Sequence, residues 1–553
     1  MSRLALVLLG ALLLLPGLGR MGAMDSTDAR YLAIAREMAH TDEWLVPRLG
    51  GATHLDKPPL TYWASMLGER VLGANELGGR AGQQLALIAT ALVVAAAARR
   101  LAGPQWSLVA GLAFLTAGLP FALSRGVATD LFQLAFVTPA LLLLHEASQR
   151  RSSARTALAF ALLGASMWAK GPIAAMVAGA VWLAAMALGR ARGRLPWRGI
   201  ALGVVLFLAI GLPWYVLIAA RVPGVTDWFA AQLAGRVTGR GVGHVKDATY
   251  IVRSWALGLL PWTPVVLLSL WRLWPRRGRR DADPCDAFVI AWALAPVLLF
   301  SLFKTKLASY VVPAVPGAVL VVARAGARGL LDDRRARRVL ALCYGTALAA
   351  TLALGLAVGA ESLLGWDTLP FFALHDARVP RCFGAVLLTT ALLGAALLPR
   401  VARLDARGSL IVTALVSGLA LASMFHAVAG DLPTFREEGR IVRRVPGARL
   451  VEFAFQPGLF YYAEPAATVF VAGVGGLIEP LLDPASAQRL SLSREEGLAM
   501  LREDVPTFAL VDTWQAPDLA ALAGTRILRE SRKYALIANP AALRALDREA
   551  ATP

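Results

Sequence analysis

The chain has 553 residues, a net charge of +19, and a composition that is 57% hydrophobic and only 17% charged. Its mean hydropathy is +0.58. A soluble chain that apolar has no interior large enough to hide its surface, which excludes a string of soluble domains. The charge does not mark a nucleic-acid binder either, because the arginines fall in clusters between alternate apolar runs instead of forming one patch.

Runs of roughly the length that crosses a bilayer recur along the chain. In order they are Leu4–Leu18, Leu85–Ala98, Leu108–Leu123, Leu131–Leu144, Ala157–Met167, Ile173–Leu188, Ile200–Ala219, Ile251–Leu270, Ala287–Phe303, Tyr310–Val322, Val339–Val358, Phe383–Leu398 and Leu410–Phe425. That makes about thirteen transmembrane helices of a polytopic α-helical protein. The basic clusters separate them. They are Arg99–Arg100; Arg150, Arg151 and Arg155; Arg190, Arg192, Arg194 and Arg198; Arg272, Arg276, Arg277, Arg279 and Arg280; Arg324, Arg328, Arg334, Arg335, Arg337 and Arg338; and Arg400, Arg403 and Arg407. Every second loop is basic, as the positive-inside rule requires. The N-terminus is therefore expected in the cytoplasm of a bacterial inner membrane, and the tail after an odd last span in the periplasm. The arginines themselves need no further role than contact with anionic lipid heads.

The first run follows Arg3 and resembles a secretory signal in make-up. Pro16-Gly17-Leu18-Gly19-Arg20 offers no small-x-small cleavage site, so the run reads as a retained anchor. Cys285, Cys343 and Cys382 are scattered among the apolar segments and none lies in the tail, so no disulfide framework or thiolate metal site is expected.

Three outer stretches break the apolar rhythm. Arg20–Arg80 is rich in charges, aromatics and prolines, and within it Ala29–Met38 reads as a short helix with Tyr31, Ile34 and Met38 on one face. Arg221–Tyr250 is polar and glycine-rich. Residues 1–430 make the transmembrane domain with loops 20–80 and 221–250, and residues 431–553 make a soluble domain. In that tail Leu450–Phe455, Thr468–Val471, Thr507–Val511 and Tyr534–Ile537 read as strands, and Ser493–Arg502 and Ala516–Ala523 as helices, an α/β module.

The chemistry-bearing residues concentrate at the outer ends of the spans. Asp25 and Asp28 lie just past the first span, and Asp56-Lys57-Pro58-Pro59-Leu60-Thr61-Tyr62-Trp63 follows in the same loop. An acid and a fixed base beside a membrane suit work on an anionic lipid head group, the acid orienting or deprotonating a nucleophile and the ammonium neutralising a phosphate. Asp25 or Asp28 as a plain helix cap is the competing reading. Asp130, at the outer entrance of the fourth span, is a functional candidate with Arg125 as its nearest expected partner, against a cap there too. Lys170 marks an outer turn. Lys304 and Lys306, with Tyr310 close by, stand on the outer face against the positive-inside bias, which a phosphate explains better than snorkelling alone. Arg236, Arg240, His244 and Lys246 add cationic candidates, while Trp255 and Trp262 read as aromatic-belt anchors. No Walker A loop and no Gly-x-Gly-x-x-Gly after a strand is present. The substrate therefore reads as an activated group presented from lipid, not a soluble nucleotide. No cofactor and no metal ligand set is indicated.

At these same residues the sequence resembles the bacterial aminoarabinose lipid A transferases and their wider family, integral-membrane glycosyltransferases of the GT-C type that use polyprenyl-phosphate sugars. The matching segments are Asp25–Met38 (DSTDARYLAIAREM), Glu43–Arg48 (EWLVPR), Asp56–Trp63 (DKPPLTYW), Ala128–Asp130 (ATD), Gly258–Thr263 (GLLPWT) and Phe303–Pro316 (FKTKLASYVVPAVP). The resemblance implies inverting sugar transfer to a membrane-associated acceptor. It puts the catalytic acid at Asp25 or Asp28, Lys57 on the lipid phosphate, and Asp130 as a second outer carboxylate. Arg236, Lys304 and Lys306 complete an anion pocket, with Asp56, Tyr62 and Tyr310 on the substrate side. Two departures stand out. The lipid A enzymes usually carry Asp-Glu where Thr27-Asp28 stands here, and often a glutamate where Asp56 stands, which leaves the sugar and the acceptor open: lipid A, another envelope glycan or a protein. A lipid or sugar transporter is the rival from another class. It calls for internal repeats and mid-membrane charges, and the notable charges here sit at the outer boundary.

Overall fold

The computed structural model describes residues 2–23, 27–189, 195–238, 245–275, 283–364, most of 388–428, 434–463, 467–472, 492–531 and 533–550. Asp25, Arg240 and His244 lie outside them, and so does the side chain of Arg236. The chain divides into two compact units. The first takes Met1–Leu18, Arg80–Leu369 and Asp376–Ala429, and the second Gly19–Gly79, Pro370–His375 and Gly430–Pro553.

The first unit is helical. Six of its helices are long and apolar enough to cross a membrane among the described residues: Glu76–Leu101, Thr129–Arg150, Trp197–Arg221, Pro284–Ser301, Ala308–Ala327 and Ala406–His426. The pair Tyr250–Gly258 and Thr263–Leu273, bent by 108°, makes a seventh if it is one span. Arg3–Leu14, Pro104–Leu115 and Ile173–Leu188 are apolar but shorter. The difference from about thirteen expected spans has a local cause where chain-breaking residues cut an apolar run. Leu108–Leu123 forms two helices, Ser107–Leu115 and Gly118–Leu123, and Ile251–Leu270 is cut around Pro261. Burial ranks the helices. Ala308–Ala327 is 78% buried and forms the centre of this unit, while Trp197–Arg221 is 17% buried and keeps Val205, Val216 and Leu217 on the outside, as a lipid-facing helix must. The protein is a multi-pass membrane protein.

Small residues set the closest helix pair. A Cβ at Gly199 would lie 2.7 Å from the Ser153 Cα, and one at Gly203 would lie 2.8 Å from the Phe160 ring. The Gly199-x-x-x-Gly203 spacing puts both glycines on one face, so Trp197–Gly211 packs directly on Ser153–Lys170. Trp255 and Trp262, expected at the membrane surface, are buried inside the unit at 5% and 1% exposure. Trp197, Trp271 and Trp274 are exposed instead.

In the second unit the described tail residues form a mixed sheet with helices. A five-stranded sheet runs β4-β3-β5-β7-β6, from β3 (Ala448–Glu452), β4 (Ala467–Val471), β5 (Thr507–Asp512), β6 (Arg526–Glu530) and β7 (Tyr534–Ala538). The first three are parallel and the last two antiparallel to their neighbours. β5 is buried on both faces and reads as an unbroken apolar run, as a central strand should. Ser493 and Glu496 form a capping box that starts the helix Arg494–Arg502. The first outer loop, Gly19–Gly79, packs in this same unit: the Arg36 guanidinium lies 3.7 Å from the Tyr461 ring centroid and bonds Glu69 at 3.0 Å, and the Tyr462 hydroxyl donates to Glu76 at 2.6 Å. Burial raises the Glu69 carboxyl above its ordinary range, with Arg36 and the Tyr461 hydroxyl opposing that rise.

Candidate active site

The loop helix Thr27–Thr41 buries Asp28, Tyr31, Ile34, Arg36 and Met38, so the face expected from its spacing is the packed one. Asp28 stands in its first turn, where the helix dipole favours a carboxylate. After this helix the chain makes a two-stranded hairpin, β1 (Arg48–Leu49) and β2 (Ala52–Thr53), turned by Gly50 and Gly51 at φ 61° and 87°. Two consecutive positive-φ residues define the tight hairpin turn that matches strand twist. A side chain at Gly50 would also collide with the Phe460 ring, and the Gly51 amide donates to Glu37 at 2.7 Å, tying the turn to the loop helix.

That hairpin delivers His54, Asp56 and Lys57 to the start of the helix Leu60–Leu72, which follows the rigid Pro58-Pro59 and has no side-chain cap. Lys57 Nζ donates to Asp56 Oδ2 at 2.6 Å, and both side chains are partly buried. Tyr62 is fully buried and meets Tyr31 edge to face, with ring centroids 5.6 Å apart. Two further groups belong to this cluster. The Nε2 of His54 and the Nε of Arg30 are buried without a hydrogen-bond partner among the described residues. Burial pushes the His54 imidazole down to about 4, Asp56 opposing and Arg30 and Lys57 reinforcing, so it is neutral near pH 7. Lys57, Arg30 and a neutral imidazole beside one carboxylate can bind an anion and orient a hydroxyl. Arg30 lies within the matching segment Asp25–Met38 and His54 just ahead of Asp56, and the sequence assigns neither a role, because a lone histidine in a loop carries no signal until its burial is known.

A second cluster belongs to the helical unit. Asp130, in the first turn of Thr129–Arg150, pairs with Lys170 at the end of Ser153–Lys170, 2.5 Å away, and both side chains are nearly buried. Lys170 therefore takes the place expected of Arg125. Arg125 is spent elsewhere: it donates to the Leu14 carbonyl at 2.5 Å and lies over the rings of Phe121 and Phe425. The Lys170 ammonium also sits 5.1 Å from the Tyr310 ring centroid, and Tyr310 packs on Phe300. The Lys-Thr-Lys segment is held by the end of the second outer loop: Val245 pairs with Thr305, and the Lys246 amide donates to the Lys304 carbonyl at 3.4 Å. Lys304 is exposed. Lys306 is 4% exposed, and the one hydrogen bond it makes among the described residues goes to the Lys246 carbonyl at 3.3 Å. Arg236 falls on the helix Val225–Thr238.

Comparison with known proteins agrees with the resemblance. The chain's fold matches the crystal structure of ArnT from Cupriavidus metallidurans bound to undecaprenyl phosphate, with a TM-score of 0.80 over 98% of both chains at 19% identity. This is the fold of the GT-C membrane glycosyltransferases. The apo structure of the same protein matches equally, at TM-score 0.80. The undecaprenyl phosphate-alpha-4-amino-4-deoxy-L-arabinose arabinosyl transferase of Edwardsiella ictaluri is 28% identical over 385 residues, 66% of this chain and 65% of that protein. The enzyme of the same description from Pseudomonas paraeruginosa is 28% identical over 328 residues, 58% of this chain and 59% of that one. The matched part thus spans less than two thirds of these relatives. Residues 56–216 match the family described as dolichyl-phosphate-mannose-protein mannosyltransferase. That match covers both Asp56-Lys57 and the Asp130–Lys170 pair.

Proposed function

We propose that the protein is an inverting glycosyltransferase of the bacterial inner membrane, with its active groups and its α/β domain on the periplasmic face, moving a sugar from a polyprenyl-phosphate donor to a membrane-associated acceptor. The relatives' names supply the class of donor, and the local chemistry supplies the roles. The acceptor hydroxyl attacks the anomeric carbon, the bond from that carbon to the phosphate oxygen breaks, and the polyprenyl phosphate leaves with the electron pair. Lys57, Lys304, Lys306 and Arg236 meet the charge on that leaving group. Asp28 or Asp25 takes the acceptor's proton. Asp130, already paired with Lys170, positions sugar or acceptor instead of receiving a proton, and Asp56, Tyr62 and Tyr310 help hold the substrates.

The burial of Lys306 carries this reading. A buried ammonium with a single neutral acceptor is costly unless an anion completes its shell, and a lipid phosphate is such an anion. The acceptor is lipid A or another envelope glycan. A protein acceptor is the second reading, supported by the match to a family described by protein mannosyl transfer. The test is transfer from synthetic polyprenyl-phosphate sugars in membranes, with Lys57→Ala beside the wild type. Losing one charge-assisted phosphate contact of about 1.5–3 kcal/mol lowers transfer about ten- to hundredfold. Wild-type transfer by Lys57→Ala removes the lysine from the phosphate, and no transfer by the wild type overturns the enzyme reading in favour of a transporter.

A further inference from the structure

A groove on the helical unit lies apart from every residue discussed above as catalytic. It encloses about 500 Å³ and runs between the helices Ser2–Leu14, Glu76–Leu101 and Thr129–Arg150. That volume lies inside the range of built small-ligand sites, about 300–1,000 Å³. Its walls are apolar, from Leu4 and Val7, Leu92 and Val93, and Leu142 and Leu143. Pro139, also in the wall, removes a rung from the hydrogen-bond ladder of its helix, which opens the concavity.

One end of the groove is charged and the other is not. Arg3 begins the first helix, Arg100 ends the second and Glu146 lies in the last turns of the third, so all three border the same end. Glu146 is shared by Arg100 and by Arg155, which approaches to 3.4 Å. Arg3 has no partner among the described residues, and Arg99 stands beside Arg100. Arg3, Arg100 and Arg155 against the one Glu146 carboxylate leave a cationic excess at the rim. From Arg100 back to Leu92 the helix climbs about 12 Å at its ordinary rise. That depth is close to one leaflet of a hydrocarbon core about 30 Å thick.

We propose that this groove binds an anionic glycerophospholipid of the leaflet that faces Arg3 and Arg100. One acyl chain lies along the Leu92–Leu142 wall and the phosphodiester sits between the two arginines. A zwitterionic head group brings its own cation to the same rim and gains less there, so the site discriminates by net charge. The proposal is independent of the sugar chemistry, because no residue in it touches the outer-face clusters.

The test uses the full-length protein in detergent, freed of lipid, with phosphatidylglycerol and phosphatidylcholine of the same chains titrated separately. Bound lipid is read by native mass spectrometry. Phosphatidylglycerol is retained more tightly, by about fivefold per arginine, the factor that about 1 kcal/mol of head-group attraction carries. Arg3→Gln with Arg100→Gln abolishes that preference and keeps residual binding of both lipids. Ala96→Trp, which fills the groove from its wall, lowers retention of both. Equal retention of the two lipids by the wild type overturns the proposal. So does a preference that survives the double arginine variant, or a groove-filled variant that still binds both. If one variant does not fold, the other and the wild-type comparison decide.

Discussion

Lys306 and Asp28 are the two side chains whose surroundings say most about chemistry. Lys306 is 4% exposed and, among the described residues, donates to one carbonyl. Asp28 is buried in the first turn of its helix, a position where a structural acid and a catalytic one look alike. Asparagine separates the two, since it fills the same volume and serves a helix start about as well as aspartate but cannot accept a proton. Asp28→Asn is expected to lower transfer by at least about a hundredfold, at the scale of lost general-base catalysis, with the melting temperature unchanged. Equal activity moves the base to Asp25. His54 gives a second test at this scale. Its pKa in the fold is about 4 against an ordinary 6.5, with burial as the main cause. The unfolded chain therefore binds more protons than the folded one between those values, so stability rises with pH through that window and is lost as pH falls through it. His54→Gln is expected to shrink the loss of melting temperature between pH 7 and pH 5. An undiminished slope in the variant assigns it to other groups.

At the scale of elements, the Ser153–Lys170 and Trp197–Gly211 pair depends on absent side chains. A Cβ at Gly203 meets Phe160 at 2.8–3.1 Å, whereas one at Gly179 finds nothing within 4 Å. Gly203→Leu therefore overpacks the contact at a cost of about 1–3 kcal/mol, and Gly179→Ala is close to neutral. A thermal melt of both variants checks this, and equal midpoints would sink it. Much at this scale was legible in the sequence. The helix around Tyr31, Ile34 and Met38, the Ser493–Arg502 and Ala516–Ala523 helices and four strands of the tail follow from periodicity and caps, which are local properties. β6 was missed because Arg526-Ile-Leu-Arg-Glu530 is an exposed edge strand with no clean alternation. The partner of Asp130 was misread for a different reason. Arg125 is five residues away in sequence, while Lys170 arrives from the far end of the next helix, and only packing can bring it there. The roles of His54 and Arg30 stayed hidden because burial and unmet hydrogen bonds are properties of the folded chain.

Over the whole molecule, the charge pattern predicts one orientation, and that expectation constrains the placement of every proposed group. Every second loop carries an arginine cluster, and an arginine is harder to move across the membrane than to leave behind. The sides agree along the chain: Arg3, Arg100 and Glu146 border one end of a single groove, as they must if the start of the first helix and the second loop share a face of the membrane. Asp130 and Lys170, by contrast, meet at the opposite ends of their helices from Arg150 and Ser153. The acid–lysine pair and the arginine clusters thus mark opposite faces of the helical unit. Reporter fusions after Arg100, Arg151, Arg194, Arg279, Arg335 and Arg403 are expected to report cytoplasm, and a fusion in the tail after Asp431 periplasm. A cysteine at an exposed position of the tail, such as Trp514→Cys (Trp514 is 74% exposed), should then react with a membrane-impermeant maleimide in intact spheroplasts. Labelling only after lysis would put the α/β domain in the cytoplasm. It would also separate the tail from any donor presented on the periplasmic face, and the proposed reaction would have to be redrawn from the other side of the membrane.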